Sequence, residues 1–439
     1  MEWLLNIPVT KMTETVLVTE ENQNGIDKQP LRIKIQIYMI AAISNAANFI
    51  ARTFTGLYAV FIESSTTALS LITSLRNLVE QAFQSTLGRI SDRIGRKIMM
   101  FIGLLISGIS IALFPFIKNQ WVLVIGVVVL SVGFASFFPS FNALQGDLTN
   151  KKNRAGLIGF ITIIGAIATT VALLIVGFVG DTGDSERIEF IIILEITAGL
   201  FIVAGIISIL LVEPQTKKLK KRSVFTFKPI KENPTFRKFV IVNSIMNFFM
   251  ALGWPLFPIV RGEFASNLEN TWIWAIFSIC QIIMLIVTRP IINKIGRKWL
   301  LFIGRVGLFF VPVNLAIAII WVPTWWFMSL SSIISGLCNA FYFVGQNSYI
   351  LDCAPEAEKG TYTGIHNLFI GVVTFIASLI MGIIADHVRI MNDEWLTIYV
   401  LLWIIAGGRL IASMGYLFIN EPKTTEKVEE LPLMIPSTK

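Results

Sequence analysis

The chain has 439 residues, 54% of them hydrophobic and 15% charged, with a formal net charge of +8 and a mean hydropathy of +0.72. A soluble domain carries about a quarter charged residues, so this composition excludes one. The positive charge does not indicate nucleic acid, because Lys and Arg gather in loops between apolar runs, where they orient membrane helices.

Residues 1–34 are polar and mixed in charge, with no apolar core behind a basic start. No cleavable signal peptide is expected, and the first span itself targets the chain to the membrane. Twelve apolar runs follow, each long enough to cross a bilayer. The first six are about 35–60, 66–88, 98–117, 120–146, 156–180 and 188–212. The last six are about 238–260, 271–288, 299–320, 326–349, 362–385 and 395–419. The expected layout is a tail (1–34), a six-helix bundle (35–213), a basic linker (214–237), a second six-helix bundle (238–420) and a C-terminal tail (421–439). The linker reads as a solvated connection, with attraction to anionic lipid as the alternative.

Lys28, Arg32, Lys34, Lys151, Lys152, Arg154 and the linker lysines fall on one side. The other side has only Lys118, Arg187, Arg261 and Arg389. Both termini are therefore expected in the cytoplasm, with Trp325 and Trp326 as outer interfacial anchors. Cys280, Cys338 and Cys353 offer neither a disulfide framework nor metal spacing. No cofactor is expected. Nor is enzyme activity, since no nucleophile–base pair stands at useful spacing.

Between spans two and three the chain reads Gly88-Arg89-Ile90-Ser91-Asp92-Arg93-Ile94-Gly95-Arg96-Lys97. It returns between spans eight and nine as Arg289-Pro290-Ile291-Ile292-Asn293-Lys294-Ile295-Gly296-Arg297-Lys298. Asn142, Asp147, Arg154 and Gly159 after span four likewise recur as Asn347, Asp352, Lys359 and Gly364 after span ten. Two such matches mark a duplicated bundle. The pattern G-x-x-x-D-R-x-G-R-K resembles the signature loop of the major facilitator superfamily, and the likeness covers the chain from about Lys34 to Asn420. It implies an all-α membrane protein of twelve transmembrane helices in two pseudo-symmetric six-helix bundles, working by alternating access.

Gly88 allows close helix approach, and Asp92 can face the positive end of a neighbouring helix. The resemblance makes that neighbour span eleven, beginning near Thr361 and Thr363, and pairs Arg93, Arg96 and Lys97 with Asp147. Gly95 completes this inner latch. In the second copy Asn293 replaces the aspartate, beside Gly296, Arg297 and Asp352, so a weaker latch is expected there. The family's arginine in span four and its glycine-proline pattern in span five are both absent, which counts against a proton-driven drug exporter.

Charged groups at bilayer depth are functional candidates. Arg76 and Glu80 stand four residues apart on one face of span two, as an anion site with a protonatable partner or as a neutralised packing pair. The resemblance makes spans one, four, seven and ten the cavity walls. Polar stripes occupy three of them: Asn45, Asn48 and Arg52; Asn243, Asn247 and Trp254; Asn339, Tyr342 and Gln346. Gln281 lies at similar depth. Glu195 and Arg409 are read as a pair or as contacts to neighbouring helices, and His366 with Asn367 as a local cap or packing.

The reading is a monomeric secondary transporter in the plasma membrane for a small polar solute, anionic or sugar-like, with a proton as candidate coupling ion. Drug efflux is the alternative within transport. A non-transporting sensor or scaffold is the alternative outside it.

Overall fold

The computed structural model describes residues 31–147, 151–181, 185–211, 227–355, 358–391 and 394–422. The two tails beyond these limits and residues 214–226 of the linker lie outside the described residues. All regular structure among the described residues is helical, in two bundles of six spans. Spans one to six are Leu31–Phe61, Thr66–Ile94, Arg96–Leu113, Gln120–Asp147, Lys151–Gly180 and Glu186–Ile209. Spans eight, ten, eleven and twelve are Asn267–Ile295, Trp325–Cys353, Lys359–Met391 and Glu394–Met414. Spans seven and nine are each broken in two.

Among the described residues eleven helices are long and apolar enough to cross a membrane. The twelfth, span two, is as long as several of them but carries Arg76, Glu80, Arg89, Asp92 and Arg93. It packs against span four within its own bundle and against span eleven of the other, so protein surrounds much of it. Spans five and eight make the second contact between the bundles.

The basic loop proves to be almost entirely helix. Span two continues to Ile94 and span three starts at Arg96, leaving Gly95 alone as the corner at φ 112°. Gly296 does the same between spans eight and nine at φ 86°. Only glycine adopts such a backbone without strain, which is why the corner residue recurs in both halves. The repeat extends to Gly103 and its counterpart Gly304. A methyl group at Gly103 would lie 2.5 Å from the carbonyl oxygen of Gly133 in span four. At Gly304 it would lie 2.7 Å from that of Cys338 in span ten. Each half thus uses one glycine to bring its third helix against its fourth.

The sequence reading made span seven continuous, but it divides into Pro234–Leu252 and Leu256–Phe264. Pro255 has no N–H to give, and the preceding turn tightens, with the Trp254 amide bonded to the Ala251 carbonyl at 3.1 Å. Span nine divides into Arg297–Val306 and Phe310–Ile320 around a 3₁₀ turn. There Pro312 cannot satisfy the Leu308 carbonyl four residues back. Arg409 answers both breaks. It is 1% exposed and donates to the carbonyls of Met250 (2.9 Å) and Leu308 (3.1 Å). Of the two readings given to Arg409, contact with neighbouring helices is the one it meets, not a pair with Glu195, which is exposed on span six. A buried guanidinium is held here by carbonyls at the two helix breaks, that of Met250 also taking the Gly253 amide at 3.3 Å.

The described end of the linker is helical and mostly exposed, anchored at Pro229. Lys228–Glu232 forms a short helix with Pro229 buried. Asn233 then caps span seven by accepting the Phe236 amide at 2.9 Å, and donates to the Cys353 carbonyl at 3.0 Å.

Candidate functional site

A cavity of about 300 Å³ lies between the bundles, walled by spans one and two on one side and seven and eight on the other. Arg52, Arg76, Asn77, Trp254, Arg261 and Trp274 give it its chemistry. Of the residues expected from sequence, Arg52, Arg76 and Trp254 are on this wall. Span four contributes Val127, while span ten contributes none of the lining residues among those described.

Glu80 sits between two arginines. Its Oε1 accepts from Arg76 Nε at 3.0 Å, and its Oε2 accepts from Arg52 Nη2. Arg76 also donates to Asn48 Oδ1. Arg76 and Glu80 are 4% and 5% exposed, whereas the Arg52 side chain is 43% exposed. The i, i+4 pair seen in the sequence is thus one side of a triad tying span one to span two. One carboxylate against two guanidiniums leaves a positive charge in excess.

Arg261 adds another. Counted in the sequence as an outer loop charge, it is instead buried in the second half of span seven. The helix resumes after Pro255 and carries it back against the cavity. Its guanidinium carbon lies 4.5 Å from the centre of the Trp274 ring, and its Nε has no hydrogen-bond partner among the described residues. Asn77, also missed in the sequence, donates to Thr374 Oγ1 of span eleven at 2.7 Å.

The other candidates lie elsewhere. Asn45 and Asn339 donate to carbonyls of their own helices, those of Ala41 and Ser335. Gln281 is half-buried in span eight. Asn243, Asn247, Tyr342 and Gln346 join a buried network inside the second bundle. Asn243 Oδ1 accepts from Tyr416 at 2.5 Å and from Tyr342 at 3.2 Å. Its amide nitrogen meets His366 Nε2 at 2.7 Å and Gln346 Oε1 at 3.2 Å. Asn247 accepts from Arg305 at 3.2 Å. His366 is 1% exposed and stacks on Phe239, so it is a packed network member, not a helix cap. Arg305 and Tyr416 gave no sequence signal beyond being polar within apolar runs.

At the end of the molecule carrying the glycine corners, Arg297 Nε donates to Asp352 Oδ2 at 2.8 Å. Glu421 then accepts the backbone amides of Arg297 (2.5 Å) and Lys298 (2.9 Å), placing a carboxylate at the positive end of span nine. The side chains of Asp92, Asp147 and Asn293 lie outside the described residues. Arg93 is exposed, Lys97 half-buried and Arg96 buried. A methyl group at Gly88 would touch Pro139 of span four at 3.4 Å.

At the opposite end Asp386 of span eleven accepts the amides of Thr66 and Thr67 at the start of span two. Asn267 of span eight donates to Glu189 of span six at 2.9 Å. The hydrogen bonds joining the bundles, among the described residues, fall at this end and at mid-height.

Comparison with known proteins gives a consistent picture. The model of the Major Facilitator Superfamily matches residues 37–254 and again 239–433. An uncharacterized MFS-type transporter of Methanocaldococcus jannaschii is 27% identical over 184 residues, 40% of this chain and 46% of the relative. The gentisate transporter of Corynebacterium glutamicum is 32% identical over 94 residues, 20% of this chain and 21% of the relative. The chain therefore spans about half or less of the length of these relatives. Among solved structures, the nucleoside transporter NupG superposes with a TM-score of 0.65 at 15% identity, covering 88% of this chain and 98% of that one. A D-xylose-proton symporter gives 0.68 at 15% identity, covering 89% and 98%. At such identities the superpositions show the shared fold.

Proposed function

The chain belongs to the major facilitator superfamily, and we propose that within it the protein moves a small organic anion by alternating access around the cavity between its bundles. The observation that carries this is the charge of the cavity wall: Arg52, Arg76 and Arg261 face it, and the one carboxylate among them, Glu80, is shared by Arg52 and Arg76. In a site shielded from water, such an excess attracts anions and repels cationic drugs. Relatives and fold neighbours bear the names of multidrug, gentisate, nucleoside and D-xylose transporters, so likeness leaves the solute open and the side chains must supply it. Since one chain provides both walls, a monomer suffices.

The glycine corners and the basic residues around them are assigned to the cytoplasm by the positive-inside rule, together with both termini. The joint of Asp386 with Thr66 and Thr67 then faces outward, and the described conformation is closed there. Glu80 is the group that releases its arginines when solute or a proton arrives.

The test is counterflow in proteoliposomes. Labelled small carboxylates should exchange and neutral sugars should not, and Arg76→Gln with Glu80→Gln should fold but exchange slowly. Exchange of a neutral sugar with no exchange of any carboxylate rejects the anion reading.

A further inference from the structure

The three arginines of the cavity are not equivalent. Arg52 and Arg76 already share the Glu80 carboxylate, and Arg76 is further tied to Asn48. Arg261 is 8% exposed, has an Nε without an acceptor and makes no ion pair among the described residues. A guanidinium buried in this way is costly unless a counter-charge reaches it. The indole of Trp274 lies against its face, which offsets part of that cost and leaves its planar N–H edge to find an acceptor. A carboxylate matches that fork with two parallel hydrogen bonds.

The wall around Arg261 is apolar and flat. Trp254, Phe257 and Pro258 come from the same broken helix, and Trp274 from span eight. Trp274 is braced edge-on by Phe49 at 5.3 Å and Phe277 at 5.6 Å, which holds its ring plane in place. The space of about 300 Å³ equals roughly ten waters of liquid volume, enough for a small ring system, and the aromatic wall favours a ring over a chain of equal volume.

We propose that the cavity takes a compact aromatic monocarboxylate, its carboxylate on Arg261 and its ring against the Trp254, Phe257 and Trp274 wall. This rests on the anion-transport reading and names its solute class. The Arg52–Glu80–Arg76 triad stands beside the ring, not beneath the carboxylate.

The test is the melting temperature of the purified full-length chain across a set of small ligands. Benzoate or phenylacetate should raise it in a concentration-dependent way. Their neutral twins, benzamide and phenylacetamide, should not, and neither should acetate, which keeps the charge and lacks the ring. Arg261→Gln should weaken binding of the aromatic acid by roughly ten- to a hundredfold, as loss of a charged hydrogen-bond donor does. Equal stabilisation by the amides overturns the inference, as does unchanged affinity in Arg261→Gln or no response to either aromatic acid. Stabilisation by succinate or octanoate in place of benzoate removes the aromatic assignment but keeps the anion-transport reading. Stabilisation by neutral sugars alone removes both. Because the ligand series runs on the unaltered protein, it decides the matter even where Arg261→Gln does not fold.

Discussion

Asp386 Oδ1 accepts the Thr66 amide at 2.6 Å, joining the last turns of span eleven to the first turn of span two across the two bundles. Its other oxygen takes the Thr67 amide at 2.8 Å. One carboxylate thus satisfies two of the N–H groups that open a helix and meets the positive end of its dipole. Nothing covalent holds this joint, so it can part whenever the bundles rock.

Asp386→Asn should loosen the joint while leaving each bundle intact. The charge term at a helix end is about 0.3–1 kcal/mol, and up to ~2 when partly buried, enough to shift a two-state equilibrium several-fold. Thr73 lines the cavity, and a cysteine placed there reports access to it. Thr73→Cys should react with a membrane-impermeant maleimide several times faster in the Asp386→Asn background. An unchanged rate would show that the joint does not control access.

The triad predicts an order of stabilities. Glu80→Gln removes the one carboxylate and leaves two guanidiniums facing each other, so it should lower the melting temperature most. Loss of one partner of a buried pair typically costs about 3–5 kcal/mol. Arg76→Gln should come next, and Arg52→Gln last because its side chain is already 43% exposed. Thermal unfolding of the three purified variants checks the order. An Arg52→Gln protein less stable than Glu80→Gln contradicts it.

Arg409→Met should destabilise from behind the cavity wall, since Arg409 does not line the cavity but lies over the Phe257 ring that does, 5.2 Å from its centre. It removes the charged donor from the carbonyls of Met250 and Leu308 and leaves them the turn amides of Gly253 and Phe310, each lost charge-assisted hydrogen bond contributing about 1.5–3 kcal/mol. Arg409→Lys should recover only part, since one ammonium cannot reproduce the spread of a guanidinium fork. Because the break in span seven places Trp254 and Arg261, the surviving Arg409→Met protein should also bind solute more weakly. Melting temperature and ligand titration read the two effects separately.

Glu421→Gln tests the corner at Gly296. The amide keeps one oxygen to accept from Arg297 or Lys298, but its NH2 cannot accept the other N–H; with the charge also lost, this should cost about 1–2 kcal/mol. Asp352→Asn breaks the ion pair with Arg297 at partial exposure and should cost about 1 kcal/mol or less. Transport rates should fall further than these stabilities do, and counterflow set beside thermal unfolding measures both. Wild-type transport in the double variant would make the corner a purely structural device.

The spans and their duplication were legible because apolar runs and recurring glycines are local features of the chain. Arg76 with Glu80 was legible too, since four residues bring two side chains together on any helix. The share of Arg52 in that pair was not, because it depends on how span one leans on span two. Arg261 was misplaced because a cation at the end of an apolar run looks like a loop residue unless the break at Pro255 is allowed for. Arg409 was unreadable in principle: its acceptors exist only because two other helices break. The signature turn was found correctly, but its backbone is helix up to a single glycine, since polar residues in a last turn look the same as a loop.

Span two bears on how the chain is made. Arginine or aspartate near the centre of a helix costs about 2.5–3.5 kcal/mol during insertion by the translocon, and this helix brings Arg76 and Glu80 together at such a depth. Lipid alone is a poor host for it. Span one is already present when span two is synthesised, and its Arg52 and Asn48 supply partners for both charges. The two helices are therefore expected to enter the bilayer as a hairpin, and a nascent chain in which span one is replaced by an inert apolar helix should leave span two on the aqueous side, open to glycosylation or protease.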